Sequence, residues 1–159
     1  MKYILGLDIS LTSTGYVVCR FDKGRIEVLE KGRVRTNSKQ PYGVRLQKIR
    51  DRVDILFDMF PIDFVVKESG FTKGFSTQPI FRAVGVAEMT CADKGYIEEM
   101  KSVTPTEVKK WVAGYGKATK DEVANGVMDY VGQMTFESDD VSDAVAVVIA
   151  YLRREGIME

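Results

Sequence analysis

The sequence of 159 residues contains no histidine, and this absence removes several kinds of catalytic site at once. A Ser-His-Asp triad, a Cys-His pair, a zinc site of the HExxH type and a histidine-ligated iron site all require an imidazole. Acid–base or metal chemistry in this chain must therefore depend on carboxylates, lysine, tyrosine or cysteine.

Cysteine and long hydrophobic runs are also scarce. The two cysteines, Cys19 and Cys91, lack the spacing of a metal site or a disulfide framework, so we expect two reduced thiols inside a cell. No apolar run approaches the roughly 20 residues that span a membrane. The apolar start of the chain is too short for a signal peptide, since Asp8 interrupts it. These features predict a cytoplasmic protein without a membrane anchor.

Net charge is missing as well, because 23 basic residues balance 23 acidic ones. This balance alone argues against nucleic acid as a partner, since phosphate binding needs local positive charge. The charges are segregated, however: residues 101–120 hold five lysines and one glutamate, whereas residues 121–143 hold seven acids and no base. The segregation suits an enzyme that binds a polyanion and holds cations, although chance fluctuation along a chain produces similar runs.

Length and composition predict one globular domain over residues 1–159. Apolar β-rich runs predict strands at 2–8, 14–20, 25–31, 63–68 and, more weakly, 96–103. Apolar stripes and capping boxes predict helices at 42–60 and 78–93 and three more from Thr104, Thr119 and Ser138. The turn Asp22-Lys23-Gly24 predicts a hairpin. This order of elements is typical of an α/β fold, with helices packed on a mixed sheet.

Four carboxylates stand at the ends of predicted elements. Asp8 closes the first strand and Glu68 the central strand, while Asp140 and Asp143 lie three apart on one face of the last helix. Asp143 borders an apolar run, so its charge needs a partner, and a divalent cation would supply one. Oxygen ligands without His or Cys favour Mg²⁺ or Mn²⁺ over zinc. Each acid by itself also fits a turn, a helix cap or a surface charge.

The order of motifs resembles the RuvC Holliday-junction resolvases of the ribonuclease H-like superfamily. The resemblance covers almost the whole chain, and its motifs are ILGLDISLTSTGY (4–16), RLQKIRDRVDILFDMF (45–60), VVKESGF (65–71), FRAVGVAE (81–88), TPTEVKKWVAGYGKATKDEV (104–123) and DVSDAVAVVIA (140–150). It implies a ribonuclease H-like mixed five-stranded sheet flanked by helices. It also implies a homodimer that makes paired nicks in four-way junctions and other branched DNA.

By position, the resemblance assigns four acids to a catalytic and metal-binding tetrad. They are Asp8, Glu68, Asp140 and Asp143. The tetrad is expected to hold two Mg²⁺ ions at the scissile phosphate, and Mn²⁺ is expected to substitute. Asp139 is an alternative to Asp140, but the spacing of three to Asp143 matches the family.

The resemblance also implies DNA-binding residues. Lys109 and Lys120 match positions near the DNA backbone, and Lys120 is included in the catalytic group, whereas Lys110 and Lys117 are weaker candidates for phosphate contact. Phe71 lies where the family places an aromatic ring against the bases of the junction. The lysines equally fit solvated helix faces, and Phe71 equally fits a ring packed under its own loop.

The chain departs from the family in two ways. Asp8-Ile9-Ser10 stands where many members have Asp-Pro-Gly, and the sequence pI near 6.4 is low for the family. Fewer phosphate contacts would weaken DNA binding and make its salt dependence shallower. A small neutral member suits a bacteriophage-encoded protein that acts in the bacterial cytoplasm.

Three other functions fit parts of the sequence. One is an RNA-processing nuclease of the same superfamily, and another is a junction-binding module that has lost catalysis. The third is a fragment of an actin-like kinase or ATPase, because residues 6–16 also fit the first phosphate loop of that group.

Overall fold

The computed structural model describes residues 1–69 and 77–159, and five strands form one mixed sheet within these ranges. The strands are β1 (Lys2–Asp8), β2 (Ser13–Asp22), β3 (Arg25–Arg35), β4 (Phe64–Glu68) and β5 (Lys101–Val103). The helices are α1 (Tyr42–Met59), α2 (Thr77–Asp93), α3 (Pro105–Val108), α4 (Lys120–Val131) and α5 (Asp139–Arg154), and a π-helical turn, Lys109–Ala113, continues α3. The expected mixed five-stranded sheet flanked by helices is confirmed.

The sheet has the strand order β3-β2-β1-β4-β5. Strands β1, β2 and β3 are antiparallel neighbours, whereas β4 runs parallel to β1 and β5 runs parallel to β4. The hairpin between β2 and β3 is also as predicted. Its two turn residues, Lys23 and Gly24, have φ angles of 49° and 78°, the backbone that a tight two-residue hairpin turn requires.

Alternating side chains on the sheet enter two separate cores. Ile4 and Val17 pack on one face with α5, while Leu5 and Val18 pack on the other face with α1 and α2. Helix α5 is buried along most of its length, as its apolar run from Ala144 predicts. The N-terminus of α5 therefore lies against the sheet, and any acid there lies close to the strand ends.

Two predicted elements differ in kind or length from the structure, and β3 also continues to Arg35, beyond its predicted end at residue 31. The predicted strand at 96–103 is limited to β5, because the Tyr96 hydroxyl rather than strand backbone accepts the Val65 N–H, at 3.3 Å. Ile97 is 88% exposed, and residues 96–100 are not part of the sheet. The helix predicted from Thr104 is α-helical only to Val108 and then widens into the π-helical turn.

The cysteines match the expectation of unpaired thiols. Cys19 lies in the core under α5 and Cys91 in the core under α1 and α2, so the sheet separates them. Burial raises the pKa of the Cys91 thiol to about 12, which leaves it protonated and unreactive at neutral pH. None of the helices in the described ranges has the length and apolarity of a membrane span.

Candidate active site

Neighbouring parallel strands bring the first two acids together. The register pairs Leu7 of β1 with Lys67 of β4, and Asp8 and Glu68 follow these residues directly. Adjacent strands lie about 4.8 Å apart, and parallel strands end at the same edge of a sheet. Asp8 and Glu68 therefore leave the sheet side by side.

Two glycines let α5 bring the other two acids to the same edge. A Cβ atom on Gly15 would lie 1.8 Å from the backbone oxygen of Asp140, and a Cβ atom on Gly6 would lie 2.7 Å from that of Ala144. No side chain fits at these distances, so both positions need glycine for a close approach. The first turn of α5 consequently packs on β2 opposite Asp8, which pairs with Gly15 across the β1–β2 ladder.

The four acids share one cleft of about 430 Å³. Its wall also includes side chains from α3, the π-helical turn and α4. The residues that line this acidic cleft are Asp8, Glu68, Pro105, Val108, Lys109, Ala118, Thr119, Lys120, Val123, Asp140 and Asp143. The structure thus brings the whole predicted tetrad together with two of the predicted lysines.

Asp8 has the most perturbed carboxyl group of the cleft. Burial is the main cause that raises its pKa to about 7, and the neighbouring charges of Asp143, Glu68 and Asp140 raise it further. Lys120 opposes this shift but does not cancel it. At neutral pH Asp8 is therefore poised between its two protonation states, as expected of a buried acid among uncompensated like charges.

Glu68 and Asp143 are perturbed in the same direction. Burial is the first cause of the raised pKa in both, and the charge of Asp143 adds to the effect on Glu68. Lys120 lowers both pKa values and Lys109 lowers that of Glu68. The two lysines thus do not balance the negative charge of the carboxylates in this cleft. Such an excess of negative charge favours the binding of a cation.

Capped helix starts hold the two lysines at the cleft. Thr119 and Glu122 form a reciprocal capping box, so Lys120 is the first residue of α4, and its Nζ lies 3.9 Å from Asp143 Oδ2. The Lys120 side chain is 79% exposed and is free to reach outward. Lys109 follows α3, which a second capping box at Thr104 begins. Both predicted capping boxes are therefore present, and each orders one lysine.

The other predicted DNA-binding residues lie elsewhere. Lys110 does not line the cleft, and its Nζ lies over the Trp111 ring at 5.1 Å. Lys117 is exposed and is also outside the lining, as is Asp139, which supports the choice of Asp140 for the tetrad. Phe71 lies outside the described residues.

A further contact could not be foreseen from sequence patterns. The Ser13 hydroxyl donates a hydrogen bond of 2.6 Å to Asp140 Oδ2, across 127 positions of the chain. Ser13 is one of several hydroxyl residues between positions 10 and 14, and no spacing distinguishes it. The only available signal was the departure of this loop from the Asp-Pro-Gly pattern, which marked the loop but not the residue.

The donor set fits a hard divalent cation. All four candidate ligands are carboxylates, and Mg²⁺ and Mn²⁺ prefer oxygen ligands. Within residues 1–69 and 77–159, no group of three or more acidic side chains is already arranged as a metal-ligand set. The fit is therefore one of ligand chemistry and of carboxylate charge that the protein does not compensate.

The fold is ribonuclease H-like, and its cleft gathers four carboxylates from β1, β4 and α5. The family model described as crossover junction endodeoxyribonuclease RuvC matches residues 4–151. The chain belongs to this family of structure-selective, divalent-metal-dependent endonucleases.

Individual relatives agree with the family match. The crossover junction endodeoxyribonuclease RuvC of Dictyoglomus thermophilum is 35% identical over 155 residues, which cover 96% of this chain and 97% of the relative. The structure of Thermus thermophilus RuvC superposes with a TM-score of 0.87 at 25% identity, covering 97% of this chain and 96% of that one. The same protein in complex with a Holliday junction substrate has a TM-score of 0.86 at 24% identity, with coverage of 98% and 97%.

Proposed function

We propose that this chain nicks four-way DNA junctions, and other branched DNA, by Mg²⁺-dependent phosphodiester hydrolysis as a homodimer in the bacterial cytoplasm. The observation that carries the proposal is the acidic cleft, where four carboxylates from β1, β4 and α5 converge with Lys109 and Lys120. The family match supports junction cleavage over the RNA-processing and actin-like alternatives. We further propose that residues 1–159 form one nuclease domain.

The four acids would hold the metal. Asp8 and Glu68 approach from the strand ends, and Asp140 and Asp143 approach from the first turn of α5. Two Mg²⁺ ions bound there would supply an activated water and stabilise the leaving 3′ oxygen, and Mn²⁺ would substitute. Because Asp8 has a pKa of about 7, it must lose its proton before it can act as a ligand.

The two lysines would hold the DNA backbone at the acids. Lys120 is exposed and lies beside Asp143, so its ammonium group can contact a phosphate oxygen at the scissile position. Lys109 lies on the neighbouring wall of the cleft and lowers the pKa of Glu68, which places its charge near that carboxylate. A phosphate between them would experience positive charge on one side and metal-holding acids on the other.

The homodimer follows from the symmetry of the substrate. A four-way junction has approximate two-fold symmetry, and two copies of one site can make paired nicks in it. Exposed apolar side chains lie on the outer surfaces of α1 and α2, including Tyr42, Ile55 and Met89. These two helices are therefore our candidates for the dimer face.

Charge-removing substitutions of the acids test the proposal. Asp8→Asn and Glu68→Gln keep the side-chain volume and should retain junction binding, while cleavage should fall by more than about 100-fold, since direct ligands matter more than their supporting residues. Binding is measured by gel shift in EDTA, and cleavage is measured under single-turnover conditions with Mg²⁺. Glu159→Gln, at the C-terminus, is the matched control. Unchanged cleavage in both acid variants would disprove the assigned centre.

A further inference from the structure

The loop between β1 and β2 is held by hydroxyl groups. Ser10 Oγ accepts the Ser13 N–H at 3.0 Å and donates to the Ser13 carbonyl oxygen at 2.8 Å. Thr14 Oγ1 accepts the Ser10 N–H at 3.2 Å and donates back to the Ser10 carbonyl oxygen. These reciprocal bonds fix the backbone of Ser13 on both sides.

From this fixed backbone, the Ser13 side chain contacts α5. Its hydroxyl donates to Asp140 Oδ2 at 2.6 Å, so one carboxylate oxygen of Asp140 is engaged and Oδ1 remains for another partner. The contact is partly buried, and the near-contact between Gly15 and Asp140 holds the two elements together at this point. The hydrogen bond therefore connects a rigid loop to a rigid helix turn.

We infer that Ser13 is a positioning residue for the metal site, which orients the Asp140 carboxylate toward the acidic cleft. The inference rests on the proposed function, since it requires Asp140 to be a metal ligand. Hydrogen bonds to a ligating carboxylate restrict its rotation, and loss of such supporting contacts typically costs about 10–100-fold in metal affinity or activity. Ser13 itself is not among the residues that line the acidic cleft.

A pair of variants separates the hydroxyl from the volume of the side chain. Ser13→Thr keeps the hydroxyl donor. Ser13→Val has the same shape as Ser13→Thr but carries a methyl group in place of the hydroxyl. Both β-branched residues suit the first position of β2. Ser13→Ala removes the hydroxyl without added volume. Ser142→Ala is the control, because the Ser142 hydroxyl lies on the same turn of α5 but donates to the Asp139 backbone oxygen.

Two measurements decide the role. Binding of Mn²⁺ to the full chain without DNA is measured by isothermal titration calorimetry, and the Mg²⁺ concentration for half-maximal junction cleavage is measured in single-turnover reactions. Ser13→Val and Ser13→Ala should weaken Mn²⁺ binding about 10-fold and raise the Mg²⁺ requirement similarly. Ser13→Thr and Ser142→Ala should remain near wild type. The Ser13→Thr and Ser13→Val variants should have the same junction affinity in EDTA and the same melting temperature.

The outcomes distinguish this inference from the proposed function. If Ser13→Val and Ser13→Thr behave alike in both metal measurements, the hydroxyl does not position Asp140 and the inference is wrong. If Ser13→Val lowers the melting temperature and leaves Mn²⁺ binding unchanged, the contact is structural only, which also overturns it. If the wild-type chain neither binds Mn²⁺ nor cleaves a junction, the proposed function fails.

Discussion

Burial is the largest single cause of the raised pKa of Asp8, ahead of each neighbouring charge. The carboxyl group lies where β1 ends, beside the first turn of α5, and it is only partly exposed to water. The three other acids then oppose the same ionisation. A bound cation would offset both the burial and the like charges that raise the pKa of Asp8. It would therefore change that pKa more than any single substitution nearby.

The pH dependence of stability follows from Asp8. Its folded pKa of about 7 exceeds the ordinary value of 3.8, so the metal-free folded state holds the proton more tightly than the unfolded state. The contribution of Asp8 to the free energy of unfolding should therefore be favourable at low pH and be lost as pH rises from about 4 to 7. Asp8→Asn should become more stable than the metal-free wild type by roughly 1–4 kcal/mol at pH 8.

Urea unfolding of both proteins in EDTA, at pH 5 and pH 8, measures this difference. Addition of Mg²⁺ at pH 8 should stabilise the wild type more than Asp8→Asn, because only the wild type gains a charged ligand. Equal free-energy differences at the two pH values would show that Asp8 is not perturbed by its surroundings.

Lys120 and Lys110 differ in what their charges face. Lys120 lies 3.9 Å from Asp143 in the cleft, whereas Lys110 lies over the Trp111 ring. Lys120→Ala should lower the single-turnover cleavage rate by about 10–100-fold, because a charge aimed at the reacting phosphate is lost. The matched variant Lys110→Ala should change that rate little. If both variants lower cleavage equally, Lys120 has no special role in catalysis compared with Lys110.

At the scale of elements, the position of α5 decides whether the site exists. The helix supplies two of the four acids, and its approach to β2 depends on the missing side chain of Gly15. A methyl group there would lie 1.8 Å from the Asp140 backbone oxygen, so α5 would have to move by about 1.6 Å to restore ordinary contact at 3.4 Å. A misplacement of about 1 Å can already cost about 100-fold in rate.

Gly15→Ala tests this dependence. We expect a loss of about 1–3 kcal/mol in the free energy of unfolding from overpacking and a cleavage rate lowered by about 100-fold. Gly43→Ala is the control, because a Cβ atom at Gly43 meets nothing within 4 Å and alanine favours the helix. Chemical unfolding and single-turnover cleavage measure the two effects. Normal cleavage by Gly15→Ala would mean that the approach of α5 does not set the site.

The sequence predicts elements well where one local rule governs them. Strand β1, the β2–β3 hairpin, helix α1 and both capping boxes match because periodicity, turn residues and caps act over a few neighbouring residues. The prediction was wrong for two segments: the strand at 96–103 is limited to β5, and the helix after Thr104 continues as a π-helical turn. Both segments make contacts with residues far away in the chain, which local patterns do not reveal: the Tyr96 hydroxyl accepts the Val65 N–H, and Arg153 donates to the Trp111 carbonyl oxygen in the π-helical turn at 2.5 Å.

The candidate site shows the same division. Asp8, Glu68, Asp140 and Asp143 were found because strand ends and one helix face carry acids at readable spacings, and the family resemblance supplied their roles. Ser13 was not found, since its partner is far away in the chain and its loop has several equivalent hydroxyls. The dimer face and the two bound ions are still predictions.

At the scale of the whole molecule, the zero net charge is a sum of acids and lysines that line one cleft. The acids come from β1, β4 and α5, and Lys109 and Lys120 line the same cleft, with Lys120 Nζ 3.9 Å from Asp143 Oδ2. A neutral sum therefore does not count against a DNA partner. It does predict fewer long-range phosphate contacts than a strongly basic protein makes, and so a shallower dependence of binding on salt.

Cleavage of a synthetic four-way junction by the wild-type chain tests the central claim most directly. A linear duplex of one junction strand with its full complement, and an RNA duplex of equal length, serve as competing substrates, each with Mg²⁺ and with EDTA. We expect paired nicks in the junction that require Mg²⁺, with both duplexes left intact. A junction that stays uncut in Mg²⁺ and in Mn²⁺ would contradict it.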